Sequence, residues 1–290
     1  MNILHIFIDG LGLNFDHTTN PILKNRLPYL QMFLSRKNPG LLIPTDASLE
    51  YDGLPQSATG QTALLTGVNP VPFVGGHRSG FPGPKLIKII KENSILKRID
   101  ALGLKSTFAN AYHREFSWEN VSRASVTTYN VLSAGQKFRN LDDLCRGKAV
   151  YQEFTNEFLR KKGYRVPLWT PEHAGKVLVD ITKENFYTLY EFFQTDIAGH
   201  KTENKEFLRK VLKNLDEFLG SVWENLPGGT TLLLTSDHGN IEDDSTRLHT
   251  TNPVPTFAYG PKADIFSGVK TLTDIVPGIL KAGNKKTFPL

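Results

Sequence analysis

Five places in this chain carry side chains able to hold a cation or attack an electrophile. The apolar run Leu232-Leu233-Leu234-Thr235 delivers Ser236-Asp237-His238-Gly239-Asn240, so a carboxylate and an imidazole stand together where a buried strand should end. Such a pair ligates a metal or forms no more than a polar turn. Thr195-Asp196-Ile197-Ala198-Gly199-His200 repeats the chemistry at a spacing of four, which on a turn brings both groups to one cation; a surface loop is the plainer alternative. Asp9 closes an isoleucine-rich run and precedes Gly10 and Gly12, a place suited to a metal, a ribose or a helix cap. Ser57 lies among small residues at an expected helix start, where the dipole favours an alkoxide and an incoming phosphate, although Ser57 or Thr59 could simply cap that helix. No histidine is near Ser57 in sequence, so a Ser-His-Asp triad has no local support and a metal would have to activate the hydroxyl. His249 follows a few residues beyond the last pair.

Counted together, Asp9, Asp196, Asp237, His200, His238, His249 and the Ser57 hydroxyl suit zinc or manganese and suffice for two ions. Two such metals about 4 Å apart lower the pKa of a hydroxyl and stabilise the attacking and leaving oxygens of a displacement.

The segments that must position these groups alternate between strands and helices. Strands are expected over Ile3–Ile8, Gly40–Ile43 (buried), Lys105–Ala109, Phe186–Phe193, the run from Leu232, and Thr256–Tyr259. Helices are expected over Pro28–Arg36, from Ala63 onward, over Pro84–Leu102 with a break near Asn93-Ser94, over Val150–Arg160, and over Thr271–Lys281. Thr170-Pro171-Glu172 is a helix start made of a capping hydroxyl, a proline and an acid. Asn204–Leu226 places Phe207, Val211, Leu215, Phe218, Leu219 and Val222 on one face, the period of an amphipathic helix. The glycine- and proline-rich stretch Val71–Pro84 reads as a loop able to reach over a site with His77 and Arg78. Residues 112–168 read as a small cap whose cations, Arg114 and Arg123 first among them, are mostly solvated with some facing an anionic substrate. The expected fold is α/β: a mainly parallel sheet sandwiched between helices, with residues 1–111 and 169–290 forming the core and 112–168 the cap.

Composition narrows the function classes. At 39% hydrophobic and 22% charged residues, the chain is an ordinary globular one, and 290 residues allow one large α/β domain with a modest insertion. The net charge of +5 fits a small anionic partner, while no basic run interleaved with aromatics points to nucleic acid. Cys145 is the single cysteine, so no intrachain disulfide forms and a reducing, cytoplasmic setting is expected. No basic leader opens the sequence and no stretch nears the ~20 apolar residues of a membrane span. The expectation is a soluble protein with no membrane partner.

The order of these motifs resembles the alkaline phosphatase superfamily, on the branch of cofactor-independent phosphoglycerate mutase and phosphopentomutase. Asp9-Gly10 is similar to the first-strand aspartate of that family. Ser57, three residues before Gly60, falls where the branch has its nucleophile. Asp196-Ile197-Ala198-Gly199-His200 is similar to its Asp-x-x-Gly-His element, and Asp237-His238-Gly239-Asn240 and His249-Thr250 with Asn252-Pro253-Val254-Pro255 to its last two metal elements. The resemblance implies one manganese or zinc ion on Asp196, His200 and His249, and a second on Asp9, Asp237, His238 and Ser57. It also implies transfer of a phosphoryl group through a phosphoserine, to water in a phosphatase or back to substrate in a mutase. Sulfatase, phosphodiesterase and a non-catalytic metal-binding protein of the same fold are the other readings. Gln61 stands where the mutases commonly have a histidine, and the only candidate for their large inserted domain is the segment 112–168.

Overall fold

The computed structural model describes residues 1–35, 37–114 and 116–284; Arg36, where the second expected element ends, lies outside them. Six strands form the main sheet: β1 (Asn2–Ile8), β2 (Leu41–Thr45), β3 (Ser106–Phe108), β6 (Tyr187–Phe192), β7 (Thr230–Thr235) and β8 (Val254–Tyr259). A separate two-stranded pair holds β4 (Ala111–Tyr112) and β5 (Arg139–Asn140). The main order is β2-β8-β7-β1-β6-β3. β1 runs parallel to both β6 and β7, and β3 parallel to β6, while β8 and β2 close the other side antiparallel. The sheet is therefore mixed and dominated by its parallel centre.

That centre is apolar on both faces because helices cover both. Leu4, Ile6, Ile8, Tyr190, Leu232 and Leu234 point into one core, against the Pro28–Phe33, Pro171–Lys183 and Lys205–Asn225 helices. Ile3, Phe7, Tyr187, Leu189 and Leu233 point into the other, against Ser57–Thr66, Pro84–Asn93, Ile95–Ala101, Val126–Ser133 and Ile275–Gly283. Strict alternation over these strands leaves no polar face for solvent, as the continuous apolar runs require. No helix among the described residues is long and apolar enough to cross a membrane.

Several elements depart from expectation for local reasons. β2 is a half-exposed edge strand rather than a buried one, and an edge tolerates Pro44, which lacks a ladder donor. The helix expected over Val150–Arg160 forms only at Glu157–Lys161, because Asn156 adopts φ 65° just before it. The loop after Val71 contains the one-turn helix Val71–Val74, and the break near Asn93 is Ser94, whose side chain caps the next helix. The terminal helix begins as a 3-10 turn, Leu272–Asp274, before Ile275–Gly283. Segment 112–168 divides its contacts. Val126, Tyr129 and Val131 join one main core and Val150 and Phe154 the other, while Leu144, Ala149, Tyr151, Leu159 and Val166 form a small cluster with Ala111.

Candidate metal centre

The carboxyl ends of the three central strands converge, as ligand sites do in open α/β sheets. β1 gives way to Asp9 and then Gly10, whose φ of 71° suits glycine and whose Cα passes so close to Asp196 that an added Cβ would lie 3.0 Å from its backbone. β6 runs into the short helix Gln194–Gly199, with His200 as its C-cap. Asp196 and His200 thus reach one spot from consecutive turns of a helix, not from the open turn expected. β7 delivers Asp237 and His238, both fully buried. Ser57 is the first residue of its helix, and Gly60 lets that helix approach until an added Cβ would stand 2.6 Å from the Asp237 carbonyl oxygen. His249 comes from the loop entering β8, pinned by the Gly239–Thr250 bridge.

Six of these side chains cluster around one imidazole nitrogen, His238 Nε2, and one carboxylate oxygen, Asp196 Oδ1, and Ser57 meets them through His238. His238 Nε2 lies 2.9 Å from Ser57 Oγ, 3.2 Å from Asp9 Oδ1, 3.6 Å from Asp237 Oδ2 and 4.0 Å from Asp196 Oδ1. Asp196 Oδ1 is in turn 3.3 Å from His200 Nε2 and 3.4 Å from His249 Nε2. The His238 and His249 rings stack at 3.7 Å with 13° between their planes. Two groups of three have ligand atoms within 4.8 Å of one another: Asp196, His238 and His249, and Asp9, Asp237 and His238. His238 belongs to both, and His200 joins the first through Asp196.

The electrostatics calls for positive charge here. Burial pushes Asp9 up to about 7, with the Asp237 charge adding and His238 pulling back. Burial likewise raises Asp237. Burial would lower His238, but Asp237, Asp9 and Asp196 outweigh it and push its pKa up to about 10. Burial opposes ionisation of Asp196 as well, yet hydrogen bonds from His200 and His249 hold its carboxyl well below the usual range. Asp9 Oδ1 and Asp237 Oδ2, the oxygens nearest His238 Nε2, are buried without a hydrogen bond among the described residues. Orphaned buried carboxylate oxygens are costly, and a divalent cation satisfies them. The donor set, imidazole nitrogen with carboxylate oxygen, fits a transition metal or zinc.

Three groups that hold the site went unassigned in the sequence. Glu242, fully buried, accepts from the Gly12 and Asn240 backbone N–H groups at 2.8 and 2.7 Å, the Thr250 hydroxyl at 2.5 Å and the Asn252 amide at 3.0 Å. It ties the Asp9, His238 and His249 loops to one another. Only burial distinguishes it from its neighbours in Glu242-Asp243-Asp244. Gln61, noted for its departure from the mutases, donates to Asp9 Oδ2 at 3.0 Å. Glu191 accepts from the Thr127 hydroxyl at 2.7 Å; burial, with the Asp9 charge adding, pushes it up to about 8. A lone acid in the aromatic run Phe186–Phe193 was the available signal.

A cleft of about 430 Å³ opens beside the cluster, and Asp9, Ser57, Asp196, Glu191, Arg114 and Arg123 line it. Arg114 and Arg123 are exposed, and Arg114 lies 4.5 Å over the Phe116 ring. Neither makes a hydrogen bond or ion pair among the described residues. His77 and Arg78 are placed differently. His77 Nδ1 is 3.4 Å from the Thr59 hydroxyl, with its ring edge-on to Tyr51. The Arg78 guanidinium donates to the Val74 carbonyl at 2.5 Å and lines a separate hollow with Ser79 and Phe81.

A profile of the Metalloenzyme superfamily matches residues 1–284. The 2,3-bisphosphoglycerate-independent phosphoglycerate mutase of Vibrio parahaemolyticus is 34% identical over 120 residues, covering 38% of this chain and 23% of the mutase. The phosphopentomutase of Limosilactobacillus reuteri is 25% identical over 252 residues, covering 79% of this chain and 60% of the enzyme. The chain thus spans less than two thirds of either relative. In fold it is similar to the alkaline phosphatase of the Antarctic bacterium TAB5, at a TM-score of 0.58 and 15% identity, covering 98% of this chain and 99% of that one.

Proposed function

Since this chain belongs to the Metalloenzyme superfamily, we propose that it is a metal-dependent phosphoryl-transfer enzyme that hydrolyses a phosphomonoester through a phosphoserine on Ser57. One observation carries the reading: the Ser57 hydroxyl stands 2.9 Å from His238 Nε2 and lines one cleft with Asp9 and Asp196. Asp196, His200 and His249 would hold one divalent ion, and Asp9, Asp237, His238 and Ser57 a second, as manganese or zinc. Such ions supply positive charge that lowers the Ser57 pKa and neutralises the phosphoryl oxygens. Glu191, which shares the cleft with Asp9 and accepts from the Thr127 hydroxyl, would offer a further carboxylate oxygen of the type magnesium takes; a substituted form of the TAB5 phosphatase, similar to this chain at a TM-score of 0.56, holds magnesium at its M3 site.

The chain's own residues then act in sequence. Ser57, at the positive end of its helix, gives its proton to solvent water, and its Oγ attacks phosphorus in line. The Oγ–P bond forms as the bond to the ester oxygen breaks, and the leaving alkoxide takes a proton back from solvent water. Water next attacks the phosphoserine and releases phosphate, restoring the serine. Arg114 and Arg123 orient the phosphoryl oxygens from the cleft wall.

A phosphomutase is the second reading, favoured by the phosphopentomutase likeness over 79% of this chain. The two part at the second step. Incubation with a phosphomonoester in ¹⁸O-water, with manganese or zinc, should release labelled inorganic phosphate. An isomeric ester formed without label would establish the mutase, and no turnover of any phosphate ester would refute both.

A further inference from the structure

The walls of the cleft speak to what the phosphate is attached to. At about 430 Å³ the cleft has room for a phosphate together with a ring-bearing alcohol. Around the polar floor of Asp9, Ser57 and Glu191, the lining is aromatic: Phe81, Phe116, Tyr151 and Phe193 are among its residues. Two of these rings are uncommitted. Phe81 is 57% exposed, and neither it nor Phe193 stacks on another ring among the described residues, whereas Phe116 packs on Tyr112 at 5.5 Å and Phe138 at 5.7 Å. A large apolar ring left in water beside a charged site costs hydration, and a ring seated on it recovers that cost in stacking.

We propose that the substrate is a phosphomonoester whose alcohol carries a planar aromatic ring, seated against Phe81 and Phe193 while its phosphate meets Ser57. This rests on the phosphatase reading above for the reaction, but the pocket itself can be tested without turnover. In the metal-loaded protein, kcat/KM should be measured for ethyl, 2-cyclohexylethyl and 2-phenylethyl phosphate, whose alcohols are of similar acidity. The phenyl ester should exceed the cyclohexyl ester by about tenfold, the scale of one good aromatic contact. Phe81→Leu and Phe193→Leu, which keep the sites apolar, should each bring that ratio toward one. In parallel, calorimetric titration with 2-phenylethyl- and 2-cyclohexylethylphosphonate, which cannot be hydrolysed, should show the same order of affinity. If no ester is turned over but the phenyl phosphonate binds preferentially, the reaction is misread and the pocket stands. If the phenyl and cyclohexyl phosphonates bind within twofold of each other, or both Leu variants keep the parental preference, the aromatic seat is refuted.

Discussion

The Nε2 atoms of His200 and His249 face each other across 3.2 Å. Each ring has its other nitrogen against a backbone carbonyl, Arg247 for His200 and Pro55 for His249, both at 2.7 Å. A ring nitrogen on a carbonyl carries the proton, so with both rings neutral the two Nε2 atoms present lone pairs to one another and to Asp196 Oδ1. The Asn240 amide reaches both Asp196 Oδ1, at 3.0 Å, and His200 Nε2, at 3.3 Å. This arrangement repels itself unless a proton or a cation stands in it.

Stability should therefore depend on divalent metal. At a hundredfold excess over its dissociation constant, an ion that binds only the folded chain adds about 2.7 kcal/mol, or several degrees in Tm for a protein of this size. Thermal unfolding of chelated protein, repeated with manganese or zinc restored, measures it, and His249→Ala should shrink the shift. A Tm indifferent to millimolar manganese and zinc would count decisively against the centre.

Ser57→Ala should abolish turnover of a phosphomonoester while the metal-dependent rise in Tm persists. Asp9, Asp237 and His238 remain for one ion, and Asp196, His200 and His249 for the other. Nucleophile loss leaves no covalent route. Near-parental turnover in Ser57→Ala, with loss in Thr59→Ala, would move the nucleophile to the second residue.

Glu242→Gln should weaken metal binding more than it weakens the fold. The carboxylate accepts four hydrogen bonds from three loops, and an amide nitrogen in place of one oxygen can accept none, leaving buried donors unpaired at about 1–3 kcal/mol. Groups that orient metal ligands typically cost ~10–100-fold in affinity when changed. Metal titration followed by Tm, set beside urea unfolding of the chelated variant, separates the two effects. Parental metal affinity in a destabilised variant would make Glu242 a purely structural residue.

How much of this was legible in the sequence follows from which features are local. The ends of β1 and β7 could be read because an apolar run stopping at Asp9 or at Asp237-His238 is a pattern within a few residues. β2 was placed but wrongly expected to be buried, since nothing within Gly40–Ile43 says that it pairs on one side only. Glu191 and Glu242 were hidden because their importance lies in Thr127, Gly12 and Thr250, partners set by the fold. That His238 neighbours Ser57 was reachable only through the family resemblance, since 181 residues separate them.

His5 should make the fold acid-sensitive independently of the centre. It is fully buried in β1, with Nδ1 2.7 Å from the Tyr187 hydroxyl and Nε2 2.7 Å from that of Thr235. Burial lowers its pKa from 6.5 to about 3. Between those values the unfolded chain binds a proton that the native chain refuses, so stability is intact above pH 6.5 and falls as pH drops through the window. The slope approaches about 1.4 kcal/mol per pH unit. Urea midpoints of chelated protein at pH 7 and pH 5 should diverge less in His5→Gln, whose amide can still meet both hydroxyls. Equal divergence in parent and variant would assign the acid sensitivity elsewhere.

Arg114 and Arg123 should separate binding of the phosphoryl group from metal binding. Both line the cleft with Ser57, and neither has a carboxylate partner among the described residues, so each guanidinium is available for an anion. A two-pronged arginine contact realised in the transition state is worth about 2–3 kcal/mol, or about two decades in kcat/KM. Arg114→Ala and Arg123→Ala are exposed changes that leave the cluster of Asp196, His238 and His249 untouched, so metal-dependent Tm shifts should match the parent. At least one of the two should nonetheless lose kcat/KM on that scale, and lysine at the same position should restore only part of it, since an ammonium replaces the charge but not the fork. Arg78→Ala is the informative control, because its guanidinium is spent on the Val74 carbonyl. Parental kcat/KM in both cap variants would show that orientation of the phosphoryl group comes from the metal ligands and the Ser57 helix alone.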